Sequence, residues 1–247
     1  MTDALAEGVP DDPLAVLTRA QALLIRSVND QWGVFSRSRV QLLPHQLWVC
    51  RQVTQEWPAR WLVADDVGLG KTIEAGLILT PLMASGRVRR VLILAPARLV
   101  PQWRARLKSM FDIRLQEYTV EQDRGHITFW DTATQVVASF HTLRQPKARE
   151  RLLSAEPWDM VMVDEAHHFQ AQERVATLTY DLLRELQDKD RIQSLVLFTG
   201  TPHRGKDFSF LALMKLVRPD LFDPKKSMRD QVPQLWPKAD RTGVPTA

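Results

Sequence analysis

Two short segments of the chain concentrate glycine, lysine, hydroxyl and carboxylate groups next to apolar runs. The first reads Asp65-Asp66-Val67-Gly68-Leu69-Gly70-Lys71-Thr72 and stands between the apolar run 61–64 and a stretch with helical periodicity. A loop in that position binds phosphate, because the N–H groups of the loop and of the helix N-terminus point at the anion. Lys71 can reach the β- and γ-phosphates of a nucleotide, and the Thr72 hydroxyl can ligate Mg²⁺. The segment therefore predicts a site for ATP and Mg²⁺.

One position of this loop departs from the general phosphate-loop pattern. That pattern has a glycine five residues before the Gly-Lys pair, where this chain has Asp65. Gly68 and Gly70 can adopt backbone angles closed to other residues and let the chain approach a ligand closely. Taken by itself, the segment has one alternative, which is a Gly-Lys-Thr sequence in an ordinary surface turn.

The second segment, Asp164-Glu165-Ala166-His167, directly follows the apolar run 160–163. In an ATPase, Asp164 would hold Mg²⁺, usually through water, and Glu165 would orient and deprotonate the attacking water. Parallel strands end at a common edge of a sheet, so we expect Asp164 and Lys71 at the same edge. The alternative is an acidic N-cap on the following helix.

The two adjacent histidines of this segment, His167 and His168, raise the question of a metal site. Zinc needs a third and usually a fourth ligand, and the nearby sequence offers no good candidate. We therefore favour coupling or packing for these side chains.

Five short apolar runs alternate with stretches of helical periodicity in the central part of the chain. The runs cover residues 61–64, 91–95, 135–138, 160–163 and 195–198, and helices are predicted over 72–83, 99–111 and 143–153. Apolar strands without alternation are typical of a sheet covered by helices on both faces. Strands that alternate with helices predict an α/β fold with a doubly wound parallel sheet.

The two ends of the chain differ from this central lobe, which we expect to cover residues 40–222. Apolar residues at helical spacing predict an amphipathic helix over 12–28, within an N-terminal helical extension and linker of residues 1–39. Residues 223–247 are rich in proline, which blocks regular elements, and we expect an irregular tail.

Composition restricts the classes of protein to consider. The chain has 247 residues, of which 45% are hydrophobic and 25% charged, and this suits a globular protein with a core. The single cysteine, Cys50, excludes an internal disulfide and fits a reducing cytoplasm. Residues 1–10 lack the features of a signal peptide, and no apolar run approaches the ~20 residues that span a bilayer. We therefore expect a cytoplasmic protein without a membrane partner.

In order and spacing, these segments resemble the motifs of the Swi/Snf-type ATPases among the superfamily-two helicases. The phosphate loop looks like that family's own form, in which an acidic residue replaces the first glycine, so Asp65 supports the resemblance. Residues 164–167 have the DEAH form of motif II. Four further stretches look like the adenine-recognition motif (42–46), motif Ia (94–103), motif Ib (139–143) and motif III (199–202).

The resemblance implies a RecA-like P-loop lobe and a role for each motif. Gln46 would read the adenine base. Coupling of hydrolysis to movement is implied for His167, Thr199, Gly200 and Thr201. Contact with the nucleic-acid backbone is implied for Pro96, Arg98, Gln102, Arg104, Ser139 and His141.

After Pro202 the sequence reads His203-Arg204-Gly205-Lys206, unlike the Leu-Gln-Asn common in eukaryotic remodellers. This stretch looks like the bacterial branch of the family. It is similar to RapA/HepA-type proteins and to the helicase-like component of the DISARM anti-phage system. The second likeness implies a role in anti-phage defence.

Basic side chains are concentrated in residues 87–114, where Asp112 is the only acid among eight arginines and lysines. The net charge of the whole chain is +4. Clustered Arg and Lys bind phosphate largely independently of sequence, which suits a protein that moves over DNA of any sequence. We expect this stretch to contact duplex DNA, and the alternative is a solvated basic helix face.

The family's motors have two lobes, and the second supplies an arginine finger to ATP in the cleft between them. About 45 residues follow motif III, so we expect the second lobe to be absent from this chain. Two hypotheses follow, an ATP-driven duplex-DNA translocase or a nucleotide- or DNA-binding half-motor completed by a second RecA-like lobe or partner protein. An RNA helicase is a third, less favoured by the forms of the motifs.

Overall fold

The computed structural model describes residues 43–64, 70–123, 129–169, 171, 176–200, 207–227 and 231. The predicted helix over 12–28 lies outside these residues, as do 65–69 of the phosphate loop, Thr201 and most of the predicted Pro-rich tail. Within the described part, six strands form one sheet in which every neighbouring pair is parallel. Their order across the sheet is β1-β6-β5-β2-β4-β3. The strands are β1 (Arg60–Ala64), β2 (Val91–Ala95), β3 (Gln116–Glu117), β4 (Gln135–Ser139), β5 (Trp158–Val163) and β6 (Ile192–Thr199).

Helices cover both faces of the sheet. They are α1 (Pro44–Gln55), α2 (Lys71–Ala84), α3 (Val100–Phe111), α4 (Phe129–Thr132), α5 (Pro146–Ser154), α6 (Leu178–Asp188) and α7 (Asp207–Val217). Short 3₁₀ turns lie at Ala97–Leu99, Val120–Asp123, Thr142–Arg144 and Ala166–His168. Among the described residues, none of these helices is long and apolar enough to cross a membrane.

Successive residues of each central strand enter two different hydrophobic clusters, because side chains alternate between the faces of a strand. In β2, Leu92 and Leu94 pack with residues of α5, α6 and α7, whereas Ile93 packs with residues of α1, α2 and α3. Both faces of the sheet are thus buried, which explains why the strands read as continuous apolar runs. The arrangement confirms the predicted doubly wound parallel sheet.

Prolines set the start of two predicted helices later than the apolar pattern indicates. The helix predicted over 143–153 begins as the 3₁₀ turn Thr142–Arg144, and α5 itself starts at Pro146. Proline suits the first helical turn, where its missing N–H would have no intrahelical partner. Similarly, the helix predicted over 99–111 begins as a 3₁₀ turn and continues as α3, which carries Pro101 in its first turn.

Candidate active site

The carboxyl ends of five neighbouring strands carry the residues that the sequence singles out. The end of β1 leads into the phosphate loop, β6 ends at Thr199, and β5 leads into Asp164. The next two strands, β2 and β4, are followed by Pro96 and end at Ser139, respectively. Parallel pairing therefore brings the phosphate loop and motifs III, II, Ia and Ib to one edge of the sheet, in that order.

The described end of the phosphate loop is shaped around a glycine. Gly70 has a φ of +97° and precedes α2, whose first two residues are Lys71 and Thr72. A Cβ atom at Gly70 would lie 2.6 Å from Nε2 of Gln46, a side chain of α1 that is 1% exposed. The positive φ favours glycine here, and a Cβ atom would require the end of the Gln46 side chain to shift. Gln46 therefore lies directly against the loop that the sequence assigns to the phosphates.

Two hydrogen bonds hold the carboxylate of Asp164, which is 6% exposed. The indole Nε1–H of Trp103 donates to Oδ2 at 2.8 Å. The backbone N–H of Glu165 donates to Oδ1, also at 2.8 Å. A carboxylate has about four lone-pair sites, so each oxygen keeps one direction for a further partner.

The electrostatic surroundings of Asp164 connect it with the phosphate loop. Burial raises the pKa of this carboxyl above its ordinary value, and the negative charge of Glu165 acts in the same direction. The hydrogen bonds from Trp103 and from the Glu165 backbone lower the pKa, as does the positive charge of Lys71. Lys71 and Asp164 are 93 residues apart in the chain, yet the ammonium group is close enough to act on the carboxylate.

Glu165 has a left-handed backbone conformation, with a φ of +51°. Such a conformation costs roughly 1–3 kcal/mol in a residue other than glycine, and it is typical of functional turns. The side chain is 17% exposed, and its Oε2 lies 3.1 Å from Nδ1 of His167. The same Nδ1 lies 3.3 Å from the hydroxyl of Thr199, which is fully buried at the end of β6. His167 thus joins the residue after Asp164 to motif III.

The second histidine of the motif packs against two neighbouring rings. The ring of His168 lies 4.4 Å from that of His167 and 5.7 Å from that of Phe140. In the described ranges, no group of three or more His, Cys, Asp and Glu side chains could hold a metal ion.

The donor set suits a magnesium nucleotide. Mg²⁺ prefers oxygen ligands, keeps several waters and is commonly bound by one or two carboxylates together with phosphates. Asp164 and the hydroxyl of Thr72 offer oxygens, and Lys71 adds a positive charge beside them. The glycine-only backbone at Gly70, at the N-terminus of α2, fits the close approach of a phosphate.

The residues implied to contact nucleic acid divide into buried and exposed sets. Pro96 and Ser139 are buried, and the Ser139 hydroxyl accepts a hydrogen bond from the His141 N–H at 3.2 Å. The exposed residues are Arg98, Gln102, Arg104 and His141. Since β2 pairs with β4, these exposed groups lie at neighbouring strand ends.

Arg104 and His141 both interact with other residues of the chain. Arg104 forms a salt bridge with Glu117 at 2.8 Å. His141 has its pKa lowered by partial burial and by the nearby charges of Arg144 and His168, so the neutral ring is favoured near pH 7.

The structure corrects the interpretation of residues 87–114 as one basic cluster. Arg87, Arg89 and Arg90 precede β2, whereas Arg98 follows it. The five residues of β2 span about 16 Å at ~3.3 Å each, so the two groups lie at opposite edges of the sheet. Arg98 shares the edge of Asp164, whereas Arg114 precedes β3 and lies at the opposite edge with Arg87, Arg89 and Arg90.

Arg90 has a structural role at the opposite edge. Its guanidinium lies 4.5 Å from the centre of the Trp158 ring, and Nη2 donates to the carbonyl oxygen of Trp130 at 3.1 Å. Asp159 Oδ2 accepts the backbone N–H groups of Arg89 and Arg90 at 2.7 and 2.8 Å. These contacts anchor the start of β2.

Two residues near the site were given no role from the sequence. Trp103 lies within motif Ia, on the buried face of α3. A buried indole N–H usually has a hydrogen-bond partner, and this could have indicated a role for Trp103. Arg144 is exposed and acts on His141 electrostatically, but nothing in its sequence position distinguishes it from other surface arginines.

Comparison with known sequences gives a consistent family. The profile of the SNF2-related domain matches residues 47–237. The chain is 36% identical over 212 residues to the RNA polymerase-associated protein RapA of Pseudomonas syringae pv. tomato, and equally to RapA of Pseudomonas savastanoi pv. phaseolicola. Each match covers 84% of this chain and 22% of the relative, so the chain spans about a fifth of the length of these curated relatives.

Solved structures support the same fold. The SWI2/SNF2 ATPase core of Sulfolobus solfataricus in complex with dsDNA superposes with a TM-score of 0.63 at 19% identity, over 75% of this chain and 37% of that chain. The core domain from the same organism gives a TM-score of 0.61 at 20% identity, over 75% and 36% of the two chains. At this level of identity the likeness concerns the fold alone, and it confirms the predicted RecA-like lobe.

Proposed function

The chain belongs to the SNF2-related, Swi/Snf-type family, and on that premise we propose that it is the ATP-binding and ATP-hydrolysing lobe of a DNA-dependent ATPase that translocates on duplex DNA. The observation that carries this proposal is the arrangement around Asp164. Its carboxylate is held at two points, and the charge of Lys71 acts on it from the phosphate loop.

In this proposal, the residues at the end of the phosphate loop bind the nucleotide. Lys71 neutralises charge on the β- and γ-phosphates, and Gln46, beside Gly70, recognises the adenine base. Thr72 and Asp164 would hold Mg²⁺, which would supply positive charge against the negative charge that develops during phosphoryl transfer.

Glu165 serves as the group that orients and deprotonates the attacking water. Its contact with His167 restrains the carboxylate on one side and leaves Oε1 for a water molecule. His167 is also 3.3 Å from the Thr199 hydroxyl. A movement of the Glu165 side chain can therefore be transmitted through His167 to motif III. We propose that His167, Thr199, Gly200 and Thr201 couple hydrolysis to movement in this way.

The neighbouring strand ends supply the DNA-binding surface of the proposal. Arg98, Gln102 and Arg104 are exposed at and after the end of β2, and His141 is exposed after β4. Such side chains bind phosphates without reading bases, which suits a translocase. A role in anti-phage defence has no support among the described contacts and stays a prediction.

Turnover is proposed to need a second RecA-like lobe, from a longer chain or a partner protein. In phosphoryl-transfer enzymes of this kind, an arginine from outside the phosphate loop is worth 10³–10⁵ in rate. The chain described here spans about a fifth of its curated relatives, so the activity of the whole protein is itself part of the proposal. The alternative is a half-motor that binds ATP or DNA without turnover until it is completed.

The experiment measures Mg·ATP binding by calorimetry and phosphate release with and without duplex DNA. The variants are Lys71→Ala and Glu165→Gln, and the control is Lys189→Ala, an exposed lysine beyond α6 that precedes β6 and so lies at the opposite edge of the sheet. We expect the unmodified chain and the control to bind Mg·ATP, Lys71→Ala to lose binding, and Glu165→Gln to keep it.

The outcomes separate the hypotheses. DNA-stimulated turnover that both active-site variants lose would establish a complete enzyme, and binding with negligible turnover would establish the half-motor. Stimulation by duplex DNA, single-stranded DNA and RNA of the same sequence identifies the polymer. Unchanged Mg·ATP binding in Lys71→Ala would contradict the assignment of the site.

A further inference from the structure

Trp103 differs from the other fully buried tryptophans of the described residues. At most 1% of the surface of each is exposed in Trp103, Trp130 and Trp158. The indole N–H groups of Trp130 and Trp158 have no hydrogen-bond partner among the described residues, whereas that of Trp103 donates to Asp164. The packing of the core alone does not account for this bond.

The bond fixes the orientation of the carboxylate that the proposed function assigns to Mg²⁺. Trp103 Nε1 lies 2.8 Å from Oδ2 of Asp164, and the Glu165 backbone holds the other oxygen. With both oxygens bonded, the carboxylate cannot rotate freely about its Cβ–Cγ bond. Donors that orient a metal-binding carboxylate in this way increase its affinity for the metal.

The ring of Trp103 is itself held between three structural elements. Its centroid lies 6.4 Å from that of Phe198, the residue before Thr199 on β6, with the planes inclined at 53°. The residue belongs to α3, where it points inward between the exposed Gln102 and Arg104. Motif Ia, motif II and the strand that leads to motif III therefore meet at one side chain.

We propose that Trp103 is a positioning residue that orients the Asp164 carboxylate for Mg²⁺ and ties the metal site to helix α3. The proposal rests on the proposed function, since it assumes that Asp164 binds the metal of a magnesium nucleotide. Trp103 itself touches neither metal nor nucleotide. Its contribution is the direction in which the carboxylate points.

The test removes the N–H while keeping an aromatic ring. In Trp103→Phe, we expect the affinity of the metal for the nucleotide-bound chain to fall by about tenfold, in the range found for groups that orient metal ligands. The affinity is measured by electron paramagnetic resonance, with Mn²⁺ in place of Mg²⁺ and adenylyl-imidodiphosphate as a non-hydrolysable nucleotide. Nucleotide binding in EDTA should stay unchanged, because the phosphate loop is intact.

Trp158→Phe is the matched control. Trp158 begins the same strand that leads to Asp164, is fully buried, and loses the same volume on substitution. We expect both metal affinity and metal-free nucleotide binding to match the unmodified chain. Equal metal affinity in Trp103→Phe and the unmodified chain would overturn the proposal, and so would a parallel loss of metal-dependent and metal-free binding.

A second measurement uses the unmodified chain and does not depend on a folded variant. In the ¹H–¹⁵N spectrum of the nucleotide-bound chain, Mg²⁺ should shift the indole signal of Trp103 and leave that of Trp158 in place. A Trp103 signal that does not move contradicts the proposal. If the unmodified chain binds no nucleotide at all, the proposed function itself is wrong. If it binds nucleotide normally but Mg²⁺ leaves the Trp103 signal unshifted, only the role of Trp103 is wrong.

Discussion

The amide nitrogen Nε2 of Gln46 lies 2.6 Å from the point where a side chain on Gly70 would begin. The two residues belong to different helices, and Gln46 is almost completely buried. Any residue larger than glycine must move either the loop or Gln46.

We predict that Gly70→Ala weakens Mg·ATP binding by about tenfold or more, equivalent to ~1.4 kcal/mol. The positive φ adds a strain of roughly 1–2 kcal/mol for an alanine, which lowers the free energy of unfolding. Calorimetric titration and urea denaturation measure the two effects.

Gly86→Ala is the control for backbone strain alone. Gly86 has a φ of +73°, and a Cβ atom there would meet nothing within 4 Å. Its free energy of unfolding should fall by a similar amount, with unchanged nucleotide affinity. Equal nucleotide affinities in the two variants would show that Gln46 does not constrain the loop.

Arg98 and Arg87 provide a matched pair for the DNA surface. Both are exposed, but Arg98 follows β2 and Arg87 precedes it, at the opposite edge. Arg98→Ala should weaken duplex-DNA binding and reduce the slope of log K against log salt concentration by about one unit. Arg87→Ala should change neither the affinity nor the slope. Fluorescence anisotropy over a series of salt concentrations measures both, and the reverse ranking would place the DNA at the other edge.

Arg90 should matter for stability and not for DNA binding. Arg90→Met removes the contact with the Trp158 ring and the hydrogen bond to the Trp130 carbonyl. Together these changes should lower the free energy of unfolding by about 1–3 kcal/mol. Arg89→Met is the comparison, because the described contact of Arg89 with Asp159 uses only its backbone N–H. In chemical denaturation, the free energy of unfolding of the Arg90 variant should be well below that of the Arg89 variant.

The buried thiol of Cys50 predicts a particular dependence of stability on pH. Burial raises its pKa from 9.0 to about 12, and Sγ donates to the Leu77 carbonyl between α1 and α2. Below pH 9 the thiol is neutral in both folded and unfolded chains and has no effect. Between pH 9 and 12 only the unfolded chain ionises, so the free energy of unfolding falls by up to ~1.4 kcal/mol per pH unit.

Denaturation curves of the unmodified chain and Cys50→Ala at pH 8 to 11 measure this effect. The alanine variant should show a shallower decline above pH 9, because lysines and tyrosines that titrate there are common to both chains. Identical slopes would mean that the thiol ionises equally well in the folded state.

Much of the lobe could be predicted because the relevant information is local in the sequence. The central strands are apolar runs, so the predicted bounds of β2 match the structure, and the other four predicted strands differ by one to three residues at one or both ends. The two-residue strand β3 has no such apolar run and is not predicted. The position of Asp164 and Lys71 at the same edge could also be predicted, because both follow parallel strands whose carboxyl ends lie on one side of the sheet. Helix α6 also has a local sequence signal, because Thr177 precedes it and caps its first turn by accepting from the Tyr180 N–H.

The contacts that define the site in detail could not be predicted in this way. The Trp103–Asp164 bond joins residues 61 positions apart, and either partner alone is compatible with many folds. The basic residues of 87–114 are close in the sequence, but the structure does not place them close together in space. A five-residue strand passing through the core is enough to separate Arg90 from Arg98.

Strand β1 pairs only with β6 in the described sheet, and this sets an order of events as the chain leaves the ribosome. The Ala59 N–H donates to the Ser194 hydroxyl, 135 residues later in the sequence, and the register continues to Ala64 opposite Thr199. Contacts of such long separation form late, because the entropy of closing the loop must be overcome first. The phosphate loop therefore gains its strand support only after Asp164, His167 and Thr199 have been synthesised. A nascent chain should consequently become able to retain ATP only after β6 has left the ribosome.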